Sequence, residues 1–194
     1  MLFGQYACGY ACRGSKRIAA TEQERLKEAM KSSASAILLM YGKLTRLMEE
    51  ASVIGQSSKP IFLHTDLMNG LSNDKGSFRF LSTYIKPTGI VTTKGPMIRA
   101  AKKEGMLTIQ RVFLIDTTSL TTTIKNVLEN QPDAIEIMPG IAPSIISFIK
   151  EHLPQPIILG GLIWNLQQVK EALEYGADAV SLSKSEMWNH LTEQ

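Results

Sequence analysis

Cysteine is almost absent: a chain of 194 residues carries only Cys8 and Cys12. Their C-x3-C spacing, with no second cysteine pair and no histidine close by in sequence, excludes a disulfide framework and argues against a zinc site. Free thiols in a reducing compartment are the expectation, with a Cys8–Cys12 bridge as the alternative. Charge of one sign is also lacking, since 21 Lys+Arg stand against 18 Asp+Glu for a formal charge of +3. That balance is too weak for a bulk electrostatic nucleic-acid binder, so any such contact must come from a local patch. No apolar run approaches the roughly 20 residues of a membrane span, the longest being residues 36–41 and the neighbourhood of 157–159. The first fifteen residues contain Gly4, Gly9 and Gly14 and have no continuous apolar stretch after a basic start, which is unlike a secretory leader. A cytoplasmic protein with no membrane partner is therefore expected.

What the chain does have is regular alternation. Short apolar runs of β type occur at 17–20, 36–41, 60–66, 89–93, 107–114, 134–139, 156–160 and 179–183. Segments with apolar residues near i, i+3, i+4 spacing lie at 22–32, 44–54, 77–84, 97–104, 119–130, 144–152, 166–175 and 185–191. Alternating strand and helix imply right-handed crossovers and a parallel sheet. Eight units predict a compact (β/α)8 TIM-type barrel, with an open doubly wound sheet as the structural alternative. Gly105 and Gly176 should end helices in the left-handed conformation. The steps Lys86-Pro87, Gln131-Pro132 and Gln155-Pro156 should stop or deflect the chain before a new strand. With no linker, charge block or low-complexity tract, residues 16–194 read as one barrel domain, preceded by an extension, 1–15, of unassigned role.

In such a barrel the loops after the strands form the site. Period-two alternation puts His64 and Asp66 on one face of the third candidate strand, and Glu136 on the polar face of the sixth. Buried carboxylates require partners, and Gln110 and Arg111 on the fifth strand supply candidates. Arg111–Glu136 reads equally as a structural ion pair or as part of a ligand site. The seventh strand ends in Gly160-Gly161, and the eighth carries Ser181, Ser183 and Lys184. Glycine amides, hydroxyls and a following helix N-terminus suit a phosphate at this end of a barrel. Lys94, Arg99, Lys102 and Lys103 form a basic run around the fourth helix. It is either a nucleic-acid contact or an ordinary solvated face. No metal-ligand cluster or activated nucleophile is evident, so neither a metal nor a catalytic group is assigned.

Several runs resemble the glycerol-3-phosphate-responsive antiterminator family, also described as glycerol uptake operon antiterminator regulatory proteins. They are FLHTDLMNGLSND from Phe62, IKPTGIVTT from Ile85, IQRVFLIDTTSL from Ile109, QPDAIEIMPGIAPSII from Gln131 and PIILGGLI from Pro156. The resemblance implies a barrel that senses glycerol 3-phosphate, with no other cofactor, and binds leader mRNA to prevent transcription termination in a glycerol-use operon. His64, Asp66, Gln110, Arg111 and Glu136 would then line the polyol side, while Gly160, Gly161 and Ser183 would hold the phosphate. The chain departs from the expected pattern at Lys43, Lys94, Leu182 and Lys184, which bears on which phosphorylated polyol it takes. The competing function is a phosphate-gripping barrel enzyme, an isomerase, lyase or phosphodiesterase, with Asp66 and Glu136 as acid and base. The oligomeric state, including a homo-oligomer, is left open.

Overall fold

The structure is a computed structural model that describes residues 16–72 and 74–189. The extension with Cys8 and Cys12, and His190, lie outside the described residues. Among the described residues nine strands occur in chain order: β1 (Arg17–Glu22), β2 (Ala36–Lys43), β3 (Ile61–His64), β4 (Met68–Asn69), β5 (Gly89–Thr92), β6 (Leu107–Phe113), β7 (Ala134–Met138), β8 (Ile157–Gly160) and β9 (Ala179–Leu182). The helices are α1 (Leu26–Lys31), α2 (Leu44–Glu49), α3 (Ala51–Gly55), α4 (Lys75–Phe80), α5 (Gly95–Lys103), α6 (Thr117–Asn130), α7 (Ile145–His152) and α8 (Leu166–Glu174). All strand pairings are parallel. β1 pairs with both β2 and β9, which closes eight strands into a ring, whereas the two-residue β4 pairs only with the end of β2. The expected (β/α)8 barrel is thus the observed fold, and β4 is an addition to it.

Period-two alternation separates two apolar layers. One face of the strands packs inside the ring, with Leu38, Phe62, Val91, Ile109 and Ile158 buried against one another. The other face, including Ile37, Leu63, Ile90, Ile135 and Val180, packs under the helices. Each such side chain removed from water contributes about 1.5–3 kcal/mol, so a strand shifted by one residue would lose both layers at once. Gly89 lies under Phe62: a Cβ there would stand 2.8 Å from the Phe62 ring, and it would also collide with the Leu107 carbonyl. The ring is therefore filled, not hollow, through its lower layers.

Helix boundaries follow local chemistry. Asp116 accepts from the Ser119 N–H while the Ser119 hydroxyl pairs back, a capping box on α6. Asn165 caps α8 and Asp74 caps α4. Gly105 and Gly176 take positive φ, +77° and +96°, as expected after helices. Lys86 and Gln131, each before a proline, also turn left-handed, φ 54° and 51°. Three expected helices differ in detail. The first opens with a 3-10 turn at Gln23–Arg25, and the second breaks at Glu50. The last is only a 3-10 turn, Ser185–Trp188, pinned by the bond from Trp188 Nε1 to the Leu182 carbonyl at 2.7 Å.

Candidate ligand-binding site

Above the apolar layer, at the C-terminal end of the barrel, the inward-facing positions turn polar. Arg111 on β6 and Glu136 on β7 are register partners, and their side chains meet. Arg111 Nε and Nη2 donate to Glu136 Oε2 at 2.8 and 2.7 Å, with both side chains at most 3% exposed. Nη2 also lies 3.1 Å from Met40 Sδ on β2. The other carboxylate oxygen, Oε1, accepts from the Ser181 hydroxyl on β9 at 2.7 Å. β8 stands between β7 and β9 and contributes Gly160 at the crossing. A Cβ at this position would collide with Ser181 Oγ and come within 3.1 Å of Glu136 Oε1. The glycine is required because the Ser181–Glu136 bond passes over its backbone.

His64 ends β3 on the same inward face. It is 3% exposed, and its Nδ1 has no hydrogen-bond partner. Burial first, and then the Arg111 charge, push its pKa down from 6.5 to about 4, against an upward pull from Asp66. It is therefore neutral near pH 7, one ring nitrogen donating and the other accepting.

The structure brings some of the sequence-predicted residues together and disperses others. Asp66 is not on the strand, because the chain leaves β3 for a 3-10 turn at Thr65–Leu67. Its carboxylate accepts from the Thr92 hydroxyl (2.7 Å), the Thr93 N–H (2.7 Å) and the Thr93 hydroxyl (2.9 Å), with Lys94 Nζ at 3.9 Å. Burial raises its pKa, but these donors outweigh burial and leave it below the ordinary value. Asp66 thus clasps the loop after β5. Gln110 is also displaced from its expected place. It points outward from the ring, where its Oε1 accepts from Asn130 at the end of α6 at 3.2 Å. Its neighbour Arg111 takes the inward position, and alternation forbids both.

Gly161 and Ser183 follow neighbouring strand ends, since Gly160 and Ser181 are register partners on β8 and β9. Gly161 has φ +76° and is followed by Leu162 at φ +58°, a left-handed conformation that costs a side-chain-bearing residue roughly 1–2 kcal/mol. Ser183 is exposed. Lys184 is exposed, and its Nζ folds back to donate to the Trp164 carbonyl at 3.1 Å, 5.3 Å from the Trp164 ring centre. The helix expected to aim its N-terminus at this corner is the short Ser185–Trp188 turn, which has little dipole to offer.

In the basic run, Lys102 binds the Gln131 carbonyl and Asp133 (3.2 Å), and Arg99 binds Asn130. Only Lys94 of the four adjoins the mouth. The sequence reading missed the apolar residues that ring it: Phe113, Ile115, Ile141, Leu162 and Trp164 are each at least half exposed. Their signal was available, since every one stands at or just past a strand end, where a barrel site expects polar groups. Among the described residues no group of three or more His, Cys, Asp or Glu is placed to hold a metal ion, and no helix is long and apolar enough to cross a membrane.

Comparison with known proteins agrees with the barrel fold. The family described as Glycerol-3-phosphate responsive antiterminator matches residues 18–188. A protein of Escherichia coli K12, YgcP, whose function is uncharacterized, is 32% identical over 170 residues, covering 88% of this chain and 89% of its own. The crystal structure of the glycerol uptake operon antiterminator regulatory protein from Listeria monocytogenes superposes with a TM-score of 0.82 at 33% identity, over 89% of this chain and 94% of that one. A glycerol uptake operon antiterminator-related protein from Thermotoga maritima shares the fold, with a TM-score of 0.78 at 23% identity over 90% and 98% of the two chains. With the match spanning nearly every strand of the barrel, the chain belongs to the glycerol-3-phosphate responsive antiterminator family.

Proposed function

We propose that this protein is a cytoplasmic, non-catalytic regulator that binds glycerol 3-phosphate in the barrel mouth and, so loaded, binds leader mRNA to prevent transcription termination. The observation that carries the reading is the buried polar layer itself. Arg111 is fixed by Glu136, and beside it the neutral His64 keeps one ring nitrogen unsatisfied. An unsatisfied buried polar atom costs about 1–3 kcal/mol, a cost relieved when a ligand hydroxyl meets it. The phosphate would lie at the corner of Gly161, Ser183 and Lys184, each charge-assisted bond contributing about 1.5–3 kcal/mol.

The enzyme alternative assigned acid and base roles to Asp66 and Glu136. Both carboxylates are spent: Glu136 accepts from Arg111 and Ser181, and Asp66 from Thr92 and Thr93. Protonating either one would weaken the bonds that hold Arg111 and Ser181, or the loop after β5, in place, which favours a binding protein. Thermal-shift titration with glycerol 3-phosphate, glycerol and inorganic phosphate tests the reading. At 100 times its dissociation constant, glycerol 3-phosphate should stabilise the protein by roughly 2.7 kcal/mol. Equal responses to glycerol and to the phosphorylated polyol would refute the phosphate corner. Turnover of glycerol 3-phosphate that Asp66→Asn abolishes would refute the regulator.

A further inference from the structure

We propose that single-stranded RNA docks on the rim of the barrel mouth, its bases stacking on the exposed Trp164 and Phe113 and its phosphates meeting Lys184, Lys94 and Lys43; this location rests on reading the chain as an RNA-binding regulator. The argument begins with an anomaly of placement. Phe113, Ile115, Ile141, Leu162 and Trp164 are 50–85% exposed, and all stand at the ends of the neighbouring strands β6, β7 and β8 or just beyond them. Exposed apolar side chains gathered at the ends of neighbouring strands suit a contact face. Leu162 is held there in a left-handed conformation that glycine would adopt without cost, so strain is tolerated to keep a side chain on the rim.

Charge selects the occupant. The cations Lys43, Lys94 and Lys184 border the mouth; of the acids at this end, Asp116 caps α6 and Asp66 clasps Thr92 and Thr93, while Glu22 ends β1 and Glu186 lies in the turn after β9. Aromatic faces interleaved with cations are the composition of a stacking platform for single strands. Lys184 already sits over the Trp164 ring, so one base on Trp164 would place its phosphate within reach of that ammonium. A second copy of this chain suits the rim less well. A two-fold contact across it would bring both sets of rim lysines into one interface and shut both mouths. The basic run on α5 is the other RNA candidate; its Lys102 and Arg99 are paired with Asp133 and Asn130, as Lys94 on the rim is with Asp66, but the rim adds the Lys184–Trp164 stacking pair.

The test uses a mixed-sequence single-stranded RNA of about 16 nucleotides at low salt, with saturating glycerol 3-phosphate present throughout. Trp164 is exposed and Trp188 fully buried, so stacking should quench the intrinsic fluorescence of the full chain, and Trp164→Ala should remove that quench. Affinity by anisotropy should fall about tenfold in Trp164→Ala. Lys94→Gln should lower the salt slope by about one. Both variants alter exposed side chains, and unchanged melting temperatures confirm folding. Wild-type binding with an undiminished quench and affinity in Trp164→Ala overturns the rim but leaves the regulator intact. Loss of binding only in an Arg99→Ala, Lys102→Ala, Lys103→Ala variant moves the RNA to α5. A wild-type dimer that Ile115→Ser converts to monomer assigns the rim to a second copy instead. No RNA binding by the wild type removes both the rim and the RNA-binding regulator.

Discussion

Ser181 reaches Glu136 from two strands away, at 2.7 Å, because Gly160 between them offers no side chain. The glycine, serine, glutamate and Arg111 form one unit, and its members should fail together. Gly160→Ala forces the Ser181 hydroxyl off the carboxylate and should destabilise the protein by about 1–3 kcal/mol. In the Gly160→Ala, Ser181→Gly double variant the collision disappears, so the two costs should add to less than their sum. Urea denaturation of the four proteins of this cycle measures the coupling, and strictly additive costs would refute the unit.

Glu136 neutralises a buried guanidinium. Glu136→Ala leaves Arg111 charged and unpaired in the barrel, and should cost about 3–5 kcal/mol. Replacing the set together, Arg111→Met with Glu136→Leu and Ser181→Ala, removes every stranded polar group and should recover most of that loss. The triple variant should nevertheless lose the thermal response to glycerol 3-phosphate. Recovered stability with an intact response would show that the pair serves packing alone.

His64 predicts a pH dependence whose sign is fixed by linkage. Unfolded, it binds a proton near 6.5, whereas folded it resists one until about 4. Between those values the unfolded chain holds more protons, so stability should fall as pH drops from 6.5 to 4, by at most about 1.4 kcal/mol per pH unit. Asp66, held below its ordinary 3.8, adds a second loss as pH falls below that value. His64→Gln should flatten the upper window and leave the lower one; a slope that survives the substitution would assign it elsewhere.

Leu162 is strained for the sake of its position. Leu162→Gly should raise stability by roughly 1 kcal/mol, since glycine takes φ near +58° freely. The same variant should bind RNA more weakly. Calorimetry and anisotropy on one preparation check both, and a loss of stability would mean that Leu162 packs more than its exposure suggests.

Much of this was legible in the chain. Alternation was enough for the barrel, and the β6–β7 polar positions were enough for an Arg111–Glu136 meeting. Gln110 could have been excluded by the same rule, since a strand cannot turn consecutive residues inward. Asp66 could not: the apolar pattern runs on past His64, but the backbone tightens into a 3-10 turn at Thr65 and period two stops applying. Gly160 was legible as a glycine but not in its purpose. Its need arises from two side chains on strands either side, 24 residues before and 21 after it in sequence, a relation no local pattern encodes. The basic run on α5 looked free because Asp133 and Asn130, its partners, lie about 30 residues further along.

Phe62 over Gly89, with Ile109 and Ile158 beside it, fills the ring beneath the polar layer. Whatever occupies the polar chamber must arrive and depart through the opening that the rim surrounds. A strand of nucleic acid lying across that opening would trap the small molecule beneath it, so the effector has to enter first and leave last. Sensing and memory then share one doorway: the complex would outlast a fall in effector concentration for as long as the transcript stays seated.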